Sequence, residues 1–203
     1  LIVRNIPSKT AINTTRITSK DKENILVWQG AVNVERGLEE LCEAMKYIDA
    51  KLIIMGQGDI KSDLENKIRQ WGIDNKVCFL GRLPFEQMMN ETVKAKLAIS
   101  IDKPTNGNYA ISLPNKIFEY MDAAVPVLVS PLQEIKPIIE NYKTGVFIRS
   151  YDPVELAKQI EELLSDCSQL DSIAENCRIA CREFCWENEE KRITEMLKRL
   201  KAV

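Results

Sequence analysis

Two stretches of the chain hold polar residues whose types and spacing could handle a phosphorylated ligand. The first is Gly30-Ala31-Val32-Asn33-Val34-Glu35-Arg36-Gly37, a polar link after a short apolar run. Arg36 stands where a helix is expected to begin. There the macrodipole disfavours a cation unless an anion shares the site. A solvated surface arginine is the plainer alternative. The second stretch is the polar loop Asp102 to Ala110, which leads into Ile111-Ser112-Leu113-Pro114-Asn115-Lys116-Ile117-Phe118-Glu119-Tyr120-Met121. Backbone N–H groups at Asn115 and Lys116 would be unpaired at a helix start and would suit a phosphate, with Lys116 adding charge. Glu119 lies one helical turn after Asn115, so the two share a face. A carboxylate there repels phosphate but suits the vicinal hydroxyls of a ribose. The alternative is a Lys and a Glu on the wet face of an amphipathic helix. Neither G-x-G-x-x-G nor a Walker A segment is present, which argues against a dinucleotide site or a P-loop. The chain has no histidine, so His-based acid–base catalysis, Ser-His triads and His-ligated metals are excluded.

These loops need rigid elements to hold them. Short apolar runs at Ile25–Gly30, Lys51–Gly56, Lys76–Gly81, Leu97–Ile101, Val125–Val129 and Gly145–Ile148 read as buried strands. Helical patterns separate them: Gly37–Met45, Ile60–Trp71, a helix after Pro84, Pro114–Ala124 and Ile135–Tyr142. Asp152-Pro153 with Glu155 reads as a capping box opening a further helix. Strands alternating with helices require parallel pairing covered on both sides. The expected fold class is therefore α/β, a Rossmann-like doubly wound parallel sheet of about six strands. Beyond Asp166 the chain reads as helical, with one helix near Gln169–Phe184 and another from about Asn188. Residues 1–24 read as a linker or incoming segment, 25–166 as the Rossmann-like domain and 167–203 as a C-terminal helical segment. In such sheets ligands sit beyond the C-terminal ends of the strands, where both polar stretches fall.

Composition narrows the partners. The 203 residues carry a net charge of -2, which offers no footprint for nucleic acid. No apolar run approaches the roughly 18 residues needed to cross a bilayer. The opening Leu-Ile-Val-Arg-Asn-Ile-Pro has no signal-peptide layout and no initiator Met, so a piece of a longer, cytoplasmic chain is expected. Six cysteines are present without C-x-x-C spacing. Cys177, Cys181 and Cys185 form an i, i+4, i+8 stripe. The sharp reading is a metal or cluster site with Cys167, and the plain one is small apolar residues in the core. The basic C-terminal residues Lys191, Arg192, Lys198, Arg199 and Lys201 read as a solvated helix face. The other reading is contact with anionic lipid at the inner face of the membrane.

The run Ser112-Leu113-Pro114-Asn115-Lys116-Ile117-Phe118-Glu119-Tyr120-Met121-Asp122-Ala123-Ala124-Val125-Pro126-Val127 resembles the signature helix and strand of group 1 glycosyltransferases. These are retaining enzymes of GT-B fold. Gln29-Gly30…Arg36-Gly37 is similar to the family's Gly-Arg…Lys-Gly loop. Phe79-Leu80-Gly81-Arg82-Leu83 resembles its base-side loop, Phe184-Cys185-Trp186-Glu187 its Phe-Ser-Trp-Glu motif, and Arg4-Asn5-Ile6-Pro7 its interdomain linker. The resemblance runs along essentially the whole chain in the family's order. It implies the donor-binding half of a two-domain enzyme, whose own N-terminal domain binds the acceptor. The partner molecule it implies is a nucleotide-sugar such as a UDP- or GDP-sugar, with neither cofactor nor metal. Glu119 then matches the final Glu of E-x7-E, for the ribose. Arg36 matches the diphosphate cation, Asn115 and Lys116 the helix start facing the diphosphate, and Leu83 a position beside the base. Gly30, Ser112 and Leu113 complete the nucleotide-sugar-binding set.

Two departures stand out. Ile111 occupies the place of the first Glu of E-x7-E, and Ala31 replaces an arginine that would meet phosphate. Lys116 is expected to compensate for Ala31. The implied reaction transfers a glycosyl group to a hydroxyl with retention, with Arg36 and Lys116 stabilising the departing diphosphate. The isolated chain is expected to be inactive. Two other readings remain: a GT-B nucleotide-sugar 2-epimerase, and a non-catalytic nucleotide-binding or interaction module, which Ala31 and Ile111 favour.

Overall fold

A computed structural model describes residues 3–8 and 18–201, with the side chains of Leu200 and Lys201 excepted. Residues 1–2 and 9–17 of the expected linker therefore lie outside the described residues, as do residues 202–203 of the expected C-terminal segment and the side chain of Lys201 in its basic face.

Six strands form one parallel sheet: β1 (Ile25–Gln29), β2 (Lys51–Met55), β3 (Val77–Gly81), β4 (Leu97–Ser100), β5 (Val127–Val129) and β6 (Gly145–Phe147). Their order is β3-β2-β1-β4-β5-β6. The order reverses between β1 and β4, which creates the crevice where doubly wound sheets take ligands. The crossovers are α1 (Leu38–Ala44), α2 (Lys61–Gln70), α3 (Phe85–Thr92), α5 (Lys116–Asp122) and α6 (Lys136–Tyr142). A short α4 (Gly107–Ala110) lies inside the polar loop, and α7 (Pro153–Ser165), α8 (Cys167–Ala180) and α9 (Trp186–Lys201) follow the sheet.

The apolar runs belong to strands because each side of the sheet needs its own core. Leu26 and Trp28 of β1 join Leu52, Ile54, Leu97 and Ile99 in a cluster with α1, α2 and α7. Val27 joins Ala98, Val127 and Val129 in a second cluster with α3, α5, α6 and α8. Alternate residues of one strand thus feed opposite cores, and each fully buried Leu, Ile or Trp contributes about 2 kcal/mol. The edge strands depart from burial on both faces. Cys78 is exposed in β3, and β6 is only partly buried throughout.

The element ends differ from the sequence reading for local reasons. The polar loop holds α4, started by Asn106, whose side-chain oxygen accepts the Tyr109 N–H at 3.0 Å. Asp152 caps α7 by accepting from Val154 and Glu155 N–H, but the capping box is half formed. The Asp152 N–H donates to Ser150 Oγ (3.0 Å), while Glu155 pairs with Lys158. Helix α8 begins at Cys167 because Asp166 accepts the Gln169 N–H at 2.9 Å. Asn188 does not open α9. Its amide donates backwards to the carbonyls of Arg182 and Glu183 (2.8 and 3.0 Å), closing the turn after α8, and α9 starts at Trp186.

Residues 3–8 run beside the start of α9. Ile6 is buried, the Trp186 N–H donates to Pro7 O (3.1 Å), and the Arg4 N–H donates to Glu189 Oε2 (3.1 Å). Glu189 is itself buried and also pairs with Arg192 at 2.8 Å. Of the cysteine stripe, Cys177 lies within the second core and Cys185 is buried, whereas Cys181 is half-buried. Burial pushes the Cys177 thiol well up from its ordinary value, as expected of an inert core thiol.

Candidate functional site

The C-terminal ends of β1 and β4 bring three charged side chains together. Asp102, two residues past β4, is fully buried. Its Oδ1 lies 3.3 Å from Arg36 Nη1 and its Oδ2 3.4 Å from Lys116 Nζ. The first is a hydrogen-bonded ion pair. The second is an ion pair without hydrogen-bond geometry. A buried carboxylate would be costly alone, and the two cations offset that cost. Each cation also has an aromatic neighbour: Arg36 Cζ is 4.5 Å from the Tyr109 ring centre, and Lys116 Nζ is 4.8 Å from that of Trp28.

Arg36 is placed by a strained turn. Glu35 and Gly37 both adopt positive φ (67° and 72°), and a Cβ on Gly37 would strike the Ile101 carbonyl. Only glycine lets the chain pass that close to β4. Lys116 opens α5 and is held under the surface with 7% exposure. Burial lowers its pKa, Asp102 opposes the shift, and Arg36 adds to it. The Ile117 N–H bonds Pro114 O at 3.1 Å. Among the described residues no backbone carbonyl accepts from the amides of Asn115 or Lys116, which remain as donors at the helix start.

Glu119 is anchored through β1. Gln29, the last residue of that strand, donates its Nε2–H to Glu119 Oε2 and accepts from the Thr92 hydroxyl at 3.1 Å. The Gln29 N–H meets the Tyr120 hydroxyl at 3.2 Å, and that hydroxyl lies 3.4 Å from Ile99 O. Burial raises the Glu119 pKa, while the Gln29 hydrogen bond and the Lys116 charge pull it back. The carboxylate therefore has a fixed orientation and one oxygen left to accept.

A cleft of about 330 Å³ lies over these groups, lined by Gly30, Ala31, Arg36, Asn115, Lys116 and Glu119 together with Trp28, Gln29, Met88 and Pro114. It adjoins a second of about 400 Å³, lined by Met55, Gln57, Arg82 and Leu83, and the two share Gly30, Ala31 and Met88. Of the residues expected from sequence, Gly30, Arg36, Asn115, Lys116 and Glu119 thus meet at one cleft, and Leu83 at its neighbour. Ser112 instead bonds Tyr109 O through its hydroxyl (3.0 Å), Leu113 packs on the second core, and Ile111 is 56% exposed.

Sequence reasoning missed Asp102 and Gln29. Asp102 reads as the first polar residue of a loop and Gln29 as the end of a strand. Their only sequence signal is position, at the last turns of the two strands flanking the switch point.

The description "Glycosyl transferases group 1" matches residues 11–179. A glycosyltransferase of Methanocaldococcus jannaschii is 28% identical over 200 residues, covering 96% of this chain and 50% of the relative. An α-1,4-N-acetyl-D-galactosaminyltransferase of Campylobacter jejuni, which acts on a diNAcBac-PP-undecaprenol glycan, is 25% identical, covering 82% and 46%. Among solved structures, HepE of Anabaena in complex with UDP superposes with a TM-score of 0.74 at 20% identity, covering 88% of this chain and 50% of that one. The chain spans about half the length of the curated relatives it matches. With a parallel sheet, a cleft at its switch point and a family match over most of its length, this chain belongs to the group 1 glycosyl transferases.

Proposed function

We propose that this chain is the donor-binding half of a retaining glycosyltransferase and takes a nucleoside diphosphate sugar into the paired clefts. The observation that carries the reading is the Arg36–Asp102–Lys116 triad beside an anchored Glu119. One buried carboxylate holds two cations at a helix start, leaving the triad itself one positive charge in excess for the diphosphate. Glu119 would accept from the ribose hydroxyls with its free oxygen. The base would lie in the neighbouring cleft by Leu83, Arg82 and Gln57. Lys116 lines the same cleft as Ala31 and would supply the charge that position lacks. Gly30 lines both clefts, whereas Ser112 and Leu113 line neither and would act only by shaping the approach to α5.

In the reaction the bond between the anomeric carbon and the diphosphate oxygen breaks. The acceptor hydroxyl oxygen then joins that carbon on the same face. Arg36, Lys116 and the amides of Asn115 and Lys116 would stabilise the leaving diphosphate, so neither metal nor cofactor is required. The acceptor site, and any group that takes the acceptor proton, would belong to a separate N-terminal half. Residues 1–24 would form the linker to it and 167–203 the helices packing back towards it. The chain alone would therefore bind nucleotide without turning it over. We place the whole enzyme in the cytoplasm, with the basic face of α9 turned to anionic lipid at the membrane.

The test is calorimetric titration with UDP, GDP, ADP and TDP, on this chain and on the full-length protein. Binding of one nucleotide, weakened about tenfold or more by Glu119→Ala, is the expected result. Tight nucleotide binding by the full-length protein without consumption of any nucleotide-sugar would favour a non-catalytic module. No binding by either would overturn the donor-site reading.

A further inference from the structure

A separate cavity, of about 190 Å³, lies at the opposite end of the sheet from the paired clefts. Its walls come from the residues that lead into β1, β4 and β5: Ser19 and Lys22, Lys96, and Ala124 with Pro126. Asp171, Glu175 and Arg178 of α8 close it.

Neither of its two lysines has a carboxylate within ion-pairing distance among the described residues. Lys22 Nζ donates to the Ala95 carbonyl (2.8 Å) and Lys96 Nζ to Asn24 Oδ1 (3.1 Å), both neutral oxygens. Among the described residues no carboxylate pairs with either ammonium. Lys96 is only 6% exposed. An ammonium carries three donors, so each lysine has two beyond its recorded bond. The two carboxylates in the wall have closer partners: Asp171 accepts the Ser19 N–H at 2.7 Å, and Glu175 pairs with Arg178 at 3.2 Å. Burial and then the Arg178 charge bring the Lys22 pKa down to about 8, against the pull of Asp171. A buried ammonium such as that of Lys96, hydrogen-bonded to a neutral oxygen beside a cavity, is costly unless an anion completes it.

We propose that this basal cavity binds a small phosphate-class oxyanion, inorganic phosphate or a phosphomonoester, between Lys22 and Lys96. Three cations (Lys22, Lys96 and Arg178) face two carboxylates (Asp171 and Glu175) in its lining, so the cavity carries an excess positive charge that an oxyanion would offset. Thr18 and Ser19, with their hydroxyls, also line the cavity, and its volume leaves room for a small ester group. The site is independent of the donor cleft, which lies beyond the other ends of the strands.

The experiment is 15N-resolved NMR titration of this chain with inorganic phosphate and, separately, glycerol 3-phosphate, against chloride at equal ionic strength. Saturable shifts are expected at Ser19, Lys22, Lys96 and Arg178. Lys22→Gln should weaken that binding about tenfold, and the donor-cleft variant Arg36→Gln should leave it unchanged. The ligand giving the tighter response identifies the source of the phosphate group. Should Lys96→Gln fail to fold, Lys22→Gln and the more exposed Arg178→Gln carry the test. Shifts confined to Gly30, Arg36 and Lys116, or shifts matched by chloride, would overturn the proposal while leaving the donor reading intact.

Discussion

Asp102 is the residue on which the candidate site depends most. Its carboxylate is fully buried between Arg36 and Lys116, so Asp102→Asn leaves two cations facing each other across a neutral amide. Breaking such a buried arrangement costs about 3 kcal/mol, which chemical denaturation would read. Nucleotide binding should fall with it, because the cations are no longer held. Lys116 gives a second prediction. Its pKa is lowered in the free protein by burial, with Asp102, Arg36 and Glu119 as its charged neighbours. A bound diphosphate would raise that pKa, so the complex holds its proton more tightly. Affinity should therefore be full below the free-protein pKa and fall as pH rises through it. Lys116→Arg, whose guanidinium stays charged, should flatten that limb in titrations at several pH values. The cation and carboxylate positions of this site were legible because their types announce chemistry. Asp102 was not, since its importance comes from burial, and burial at the mouth of a strand depends on partners far away in sequence.

Among the elements, the tight turns after β1 and β2 matter most. Gly56 has φ 156°, and a Cβ there would strike the Gly30 carbonyl. Gly56→Ala should cost about 1–3 kcal/mol and disturb the cleft that Gly30 and Gly56 line. Gly107, with open space around it, provides the contrast, and Gly107→Ala should be neutral or stabilising in the same thermal melts. At α7, Asp152→Ala removes a cap that accepts two amides and should cost about 1 kcal/mol. Strands were easy to read because burial on both faces leaves unbroken apolar runs. Helix ends were harder, because one polar side chain can serve either neighbour. The last helix reads as starting near Asn188, yet that side chain closes the preceding turn, and Asn106 starts a helix inside what reads as plain loop.

For the whole molecule, strand order decides where chemistry can happen. With β1 and β4 adjacent, the loops after them part in opposite directions and leave the crevice that Arg36 and Asp102 share. A nucleotide bound there at about 100 times its Kd should raise stability by about 2.7 kcal/mol, visible as a concentration-dependent melting temperature. The docking of residues 3–8 against the base of α9 has a mechanical side. Arg4 meets Glu189 and Pro7 meets Trp186 at one corner, so residues 3–8 and the start of α9 are riveted together. A body attached to its surroundings at two separated points can only swing about the line joining them. A second body joined through residues 3–8 would meet this one at that single corner and pivot like a ball in a socket, free to tilt and twist until something else stops it.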